Sequence, residues 1–78
     1  MTVQAYVLVQ TEVGTASDVA TAIGEIEGVS SAQDVTGPYD VIVLIEGPSI
    51  DELGTLVVSR IQKTPGITRT LTCPVVRV

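Results

Sequence analysis

The chain has 78 residues, of which 45% are hydrophobic, 17% are charged and 3% are aromatic, and its formal net charge is −5. Only four of its residues are lysine or arginine, which argues against direct nucleic-acid binding because a phosphate backbone requires clustered positive charge. The absence of histidine removes the commonest general base and metal ligand.

The size and the cysteine content predict one small cytoplasmic domain over residues 1–78. A domain of this size buries only about 60% of its unfolded surface, and small domains often gain stability by oligomerising. Cys73 is the only cysteine, so an intramolecular disulfide is impossible and a reducing compartment is favoured. The N-terminus lacks the basic segment of a signal peptide. The apolar run from Val41 to Ile45 is far shorter than the ~20 residues of a membrane helix, so we expect no membrane association.

The first third of the chain predicts a strand and a helix. The strand covers roughly Val3 to Gln10 and has apolar residues on both faces. One face carries Val3, Ala5, Val7 and Val9, and the other carries Tyr6 and Leu8. The helix runs from about Ala16 to Ile26, with Thr15 as its N-cap and Gly28 as the glycine that ends it.

Two further strands follow, joined by a tight turn. The second strand covers about Val29 to Thr36 and is the most polar of the predicted strands. The Gly37-Pro38 pair favours a turn, and the β-branched run after it predicts a buried strand from Asp40 to Glu46.

The last third predicts a second helix and a final strand. Ser49 and Glu52 have the spacing of a capping box at the start of the helix. Its apolar stripe comprises Leu53, Leu56, Val57 and Ile61. The sequence from Thr64 to Gly66 stops the helix, and the last strand is expected over Ile67 to Val78.

The order strand, helix, strand, strand, helix, strand predicts a ferredoxin-like βαββαβ fold of the α+β class. Right-handed crossovers place both helices on one face of a four-stranded antiparallel sheet. The other face then carries Tyr6, Leu8, Ile42 and Leu44, which have no cover within the chain. A contiguous apolar patch of this kind is rare on soluble monomers, so we expect a homodimer through this face.

The sequence offers little catalytic chemistry, so we expect no enzyme, no cofactor and no metal. It contains no nucleophile with an obvious base, no phosphate-binding glycine loop and no cluster with metal-ligand spacing. Acylphosphatases, which share this architecture, need an arginine in the first loop, and the first loop of this chain has none. Copper chaperones of this architecture need paired cysteines, and this chain has only one cysteine. An enzyme of the dimeric α/β-barrel type remains possible for the fold but would lack the usual catalytic histidine.

Several segments resemble the ligand-binding, or RAM, domain of the Lrp/AsnC family of transcriptional regulators, over essentially the whole chain. The most specific are "TGPYDVIVLIEG", a glycine-x-tyrosine-aspartate turn that leads into an apolar strand, and "TPGITRTLT" near the C-terminus. The resemblance implies a dimer through the sheets that can assemble into ring-like oligomers. It also implies an amino-acid-like ligand, held at clefts between dimers by Gly37, Tyr39, Asp40, Thr70 and Thr72.

Two alternatives stay open for these positions and for the function. Asp40 could cap the turn and Tyr39 could fill an interface, with the threonines acting only as strand formers. Family regulators normally carry a helix-turn-helix before this domain, whereas the first strand here starts at Val3, so we expect a stand-alone domain. The rival function is an interaction protein that co-assembles with full-length Lrp/AsnC regulators without sensing a ligand.

Overall fold

The computed structural model describes residues 2–76 and has the predicted order of elements. The strands are β1 (Val3–Thr11), β2 (Val29–Asp34), β3 (Val41–Gly47) and β4 (Ile67–Pro74). The helices are α1 (Ala16–Gly24) and α2 (Ile50–Leu56), and α2 continues into a π-helical segment (Val57–Ile61). All neighbouring strands are antiparallel, in the order β2-β3-β1-β4. The ferredoxin-like fold is therefore confirmed.

The hydrophobic core lies between the helices and one face of the sheet. Both central strands, β1 and β3, point alternate residues into it, and each helix contributes its apolar stripe. Its buried members are Ala5, Val7, Val9, Val19, Ala20, Ile23, Val41, Val43, Ile45, Leu53, Val57 and Ile61. Because all of them lie on the helix side of the sheet, the core leaves the opposite face without cover.

The two helix starts differ in their capping. Ser49 caps α2 as predicted, because its extended backbone lets Oγ accept a hydrogen bond from the backbone N–H of Glu52 at 3.2 Å. Thr15 is the N-cap residue of α1 as predicted, but its side chain makes no capping hydrogen bond. Thr15 precedes α1 but has a helical backbone, and its hydroxyl donates to the carbonyl oxygen of Glu12 at 2.7 Å. That bond lies within the β1–α1 loop, and the Thr15 hydroxyl accepts no hydrogen bond from the backbone N–H groups at the start of α1.

Several element ends differ from the sequence prediction by two or more residues. Helix α1 ends at Gly24 rather than Ile26, and β2 ends at Asp34 rather than Thr36. Strand β4 ends at Pro74, although the N–H of Val75 still donates to the carbonyl of Gln4 on β1 at 2.9 Å. The remainder of the predicted last strand, residues 77–78, lies outside the described residues.

No helix in the described part of the chain is long and apolar enough to cross a membrane.

Candidate functional site

The uncovered sheet face brings together the apolar side chains expected to form an interface. In the register of β1 and β3, Tyr6 lies opposite Leu44 and Leu8 lies opposite Ile42. On the other side of β1, Leu8 lies opposite Leu71 of β4. We call these five residues the sheet patch. Tyr6 and Leu71 are each 45% exposed, and the other three are half-buried.

Leu71 is a member of the sheet patch that the sequence prediction missed. It stands between Thr70 and Thr72, and it is the apolar residue in an alternating strand. Since alternation assigns residues to faces, the pairing of Leu8 with Leu71 could have been anticipated once β4 was placed beside β1.

The turn that contains Gly37, Tyr39 and Asp40 is fastened to the end of β1. The Asp40 carboxylate accepts a hydrogen bond from the backbone N–H of Thr11 to Oδ2 at 2.8 Å. The side-chain amide of Gln10 donates to the carbonyl of Pro38 at 3.1 Å. Gly37 has a φ of 135°, which favours glycine. Asp40 therefore has a structural role, whatever else it binds.

The same carboxylate retains binding capacity. Its Oδ1 accepts no hydrogen bond from residues 2–76, and Asp40 is only half-buried. Tyr39 beside it is also half-buried, whereas Gly37 is exposed. A cationic group that approached this turn would thus meet a carboxylate oxygen that accepts no hydrogen bond from the described residues.

Thr70 and Thr72 lie on β4, on the helix side of the sheet. They pair with Val9 and Val7, whose side chains are buried in the core. Thr70 is half-buried and Thr72 is exposed, because β4 is an edge strand. The side-chain amide of Gln62, just after the π-helical segment, donates to Oγ1 of Thr70 at 2.8 Å.

A groove of about 230 Å³ adjoins this hydrogen bond. It is lined by Gln62, Ile67, Thr68, Arg69 and Thr70. Nothing in the sequence singles out Gln62, because a glutamine at a helix end is usually a solvated residue. Its contact depends on how the second helix ends, which hydrophobic periodicity alone does not predict.

The Gly37–Asp40 turn lies on one side of β1, and Thr70 and Thr72 lie on the other side. The N–H of Asp40 donates to the carbonyl of Val9 from the β3 side, while Thr70 pairs with Val9 from the β4 side. Two strand spacings separate them, or about 10 Å. This is farther than the distance between the ammonium and the carboxylate of one α-amino acid. Within a single chain, the structure does not bring the predicted ligand-binding residues into one pocket.

Two further grooves are present. One, of about 300 Å³, is lined by Leu53 and Leu56 of α2 and by three glutamates, namely Glu27 of the α1–β2 loop, Glu46 of β3 and Glu52 of α2. The described residues contain no group of acidic or cysteine side chains arranged to hold a metal ion. The other groove, of about 700 Å³, follows the outer side of α2 between Ile50 and Val58.

Comparison with known proteins identifies the family. Residues 4–78 match the family model described as the Lrp/AsnC ligand binding domain. The chain belongs to this family. The sequence matches no curated protein.

Solved structures similar to this Lrp/AsnC domain include two of comparable length. TTHA0845 from Thermus thermophilus is 30% identical with a TM-score of 0.90, and the match covers 97% of this chain and 95% of that one. The hypothetical protein PHS023 from Pyrococcus horikoshii is 29% identical with a TM-score of 0.87, covering 97% of this chain and 92% of that one.

A longer protein shares the fold. The feast or famine regulatory protein Rv3291c from M. tuberculosis, complexed with L-methionine, is 23% identical with a TM-score of 0.80. The match covers 97% of this chain and 51% of that one, so the domain spans about half of that protein's length.

Proposed function

We propose that this chain binds a small amino-acid-like ligand and oligomerises, and that it acts in transcriptional regulation through assembly rather than catalysis. The observation that carries the proposal is the match of residues 4–78 to the Lrp/AsnC ligand-binding domain. Because Rv3291c binds L-methionine in its solved complex, L-methionine is the first ligand to test. A cytoplasmic location follows from a regulatory role.

The ligand site would combine Gly37, Tyr39 and Asp40 of one chain with Thr70 and Thr72 of another. Because the two sets lie on opposite sides of β1, a second copy is needed to place both against one ligand. The unoccupied carboxylate oxygen of Asp40 suits an ammonium group, and threonine hydroxyls suit a carboxylate. This arrangement agrees with a cleft between dimers of a ring-like oligomer.

The homodimer would form through the sheet patch. Burying a Leu- or Ile-sized side chain contributes about 1.5–3 kcal/mol, so a few such residues from each copy can offset the entropic cost of association. The patch spans the two central strands, β1 and β3, and the edge strand β4, which would allow two copies to stack face to face.

A thermal-shift screen of the twenty amino acids tests the ligand proposal. An amino acid present at 100 times its Kd should stabilise the folded chain by about 2.7 kcal/mol, which raises Tm by roughly 10–20 °C in a domain of this size. D-methionine is the matched control for L-methionine, since it has the same composition and charge. If none of the twenty shifts the melting curve, the sensor proposal is wrong.

The second candidate is an interaction protein that co-assembles with full-length Lrp/AsnC regulators without sensing a ligand. The sheet patch favours it equally, because an apolar face can pair with a homologous face as well as with its own copy. Affinity capture of the tagged chain in the presence and absence of amino acids separates the two. Recovery of a regulator that is unaffected by every amino acid would favour this candidate.

A further inference from the structure

The hydrogen bond between Gln62 and Thr70 is the contact between a helix end and a predicted ligand-binding residue. Gln62 Nε2 donates and Thr70 Oγ1 accepts, at 2.8 Å. Both residues line the groove of about 230 Å³. The contact therefore lies at the rim of a space that a small molecule can enter.

The π-helical segment fixes where Gln62 leaves the helix. Its backbone N–H donates to the carbonyl of Val57 at 2.8 Å, five residues earlier, rather than to that of Val58 as an α-helix would require. A π turn displaces each following residue by one position, or about 100° around the helix axis. Such turns occur frequently at functional sites.

The direction of the hydrogen bond determines what Thr70 can offer a ligand. A threonine hydroxyl has one proton and two acceptor lone pairs, and it rotates to suit its neighbours. Since Gln62 supplies a proton to Oγ1, the Thr70 proton has to point away from the amide. The Thr70 hydroxyl is thereby oriented to donate its proton away from Gln62.

We propose that Gln62 is a positioning residue of the ligand site, which holds the Thr70 hydroxyl so that its proton is free to donate to the carboxylate of an amino-acid ligand. This inference rests on the proposed function, because it presumes that Thr70 contacts the ligand. The bond could instead serve only to tie the helix end to the edge strand β4. The two roles differ in what Gln62 variants would change.

The experiment is a double-mutant cycle read by calorimetry, with L-methionine as the probe or, if another of the twenty binds more tightly, that amino acid. Gln62→Met keeps the shape of the side chain and removes the donor. This variant should weaken binding about tenfold, because the Thr70 hydroxyl would no longer be held in the orientation that donates to the ligand carboxylate. In the Thr70→Val background, Gln62→Met should weaken binding no further, because the hydroxyl that it orients is absent.

Three controls complete the design. Thr68→Val changes another threonine of the same groove that has no hydrogen bond to Gln62, so the tenfold effect of Gln62→Met should persist in that background. Gln62→Glu reverses the bond, since a carboxylate accepts the Thr70 proton, and it should weaken binding more than Gln62→Met does. The urea midpoints of the Gln62 variants should match that of the wild type, because Gln62 is exposed.

Three results would overturn the inference. Unchanged affinity in Gln62→Met, with a wild type that binds, refutes it and leaves the proposed function standing. An equal loss in the presence and absence of the Thr70 hydroxyl means that Gln62 does not act through Thr70. A wild type that binds none of the twenty amino acids refutes the proposed function and this inference together.

Discussion

At the residue scale, Asp40 illustrates how a single side chain can have two roles. Its Oδ2 accepts the N–H of Thr11 and so holds the Gly37–Asp40 turn against β1. Its Oδ1 accepts no hydrogen bond from the described residues and is available to a ligand. The sequence suggested a turn residue and a ligand residue as alternatives, and the geometry allows both at once.

Two substitutions at Asp40 separate these roles. Asp40→Asn keeps an acceptor for Thr11 but loses the charge, so it should retain the stability of the wild type and lose roughly ten- to a hundredfold in amino-acid affinity. Asp40→Ala removes both, so it should also lower the free energy of unfolding by about 1–3 kcal/mol. Urea unfolding and calorimetry are the measurements. Full affinity in Asp40→Asn would mean that the carboxylate charge contacts no ligand.

At the element scale, hydrophobic periodicity predicted the elements well and their ends poorly. The stripe of Leu53, Leu56, Val57 and Ile61 faces the core as expected. Hydrophobic periodicity did not predict the π-helical segment, because the change from α to π geometry adds only one residue to a turn. Thr15 is the N-cap residue of α1 as predicted, but its hydroxyl donates to the preceding loop instead of accepting from the helix.

The candidate site was harder to predict than the fold. The residues of the sheet patch follow from alternation and pairing, which the sequence contains. The position of Asp40 relative to Thr70 depends on strand order, because β1 lies between them. The contact of Gln62 with Thr70 depends on the exact helix exit, for which no local sequence signal exists.

Substitution by alanine should have opposite effects on stability at two glycines, Gly54 in α2 and Gly28, which lies close to Leu56 of α2. Gly54 lies within α2 with open space at its Cβ position, so Gly54→Ala should stabilise the chain by about 0.8–1 kcal/mol through helix propensity. Gly28 has a φ of 97°, and a Cβ there would lie 3.0 Å from Leu56 Cδ2. Gly28→Ala should therefore destabilise the chain by about 1–3 kcal/mol.

Urea midpoints at one protein concentration measure both glycine effects, provided that the slope m is unchanged. A stabilised Gly28→Ala would mean that this backbone region tolerates a side chain. A destabilised Gly54→Ala would indicate that the outer groove of α2 is occupied in the assembled protein.

At the scale of the whole molecule, the fold has one covered and one uncovered sheet face. All twelve buried core residues lie on the covered side. The uncovered side carries the sheet patch, in which Tyr6 and Leu71 are each 45% exposed. An apolar face at the centre of a sheet favours association, and the strand order leaves it accessible.

A charge placed in the sheet patch should disrupt association. Leu44→Asp would bury an unpaired carboxylate in an apolar interface, so the variant should be monomeric or unfolded. Val58→Asp is the matched control, because Val58 is also apolar, is 61% exposed and lies in the π-helical segment, away from the patch. Size-exclusion chromatography with circular dichroism compares them. Loss of the dimer in Val58→Asp and not in Leu44→Asp would place the interface on the helices.

Sedimentation equilibrium of the wild-type chain at micromolar concentration tests most directly the claim that this domain functions as an assembly. One chain has a mass of 8.1 kDa, so a dimer has twice that mass, 2 × 8.1 = 16.2 kDa. We predict a mass of at least the dimer, since the described residues leave the sheet patch without cover. A folded species of 8.1 kDa at that concentration would contradict the claim.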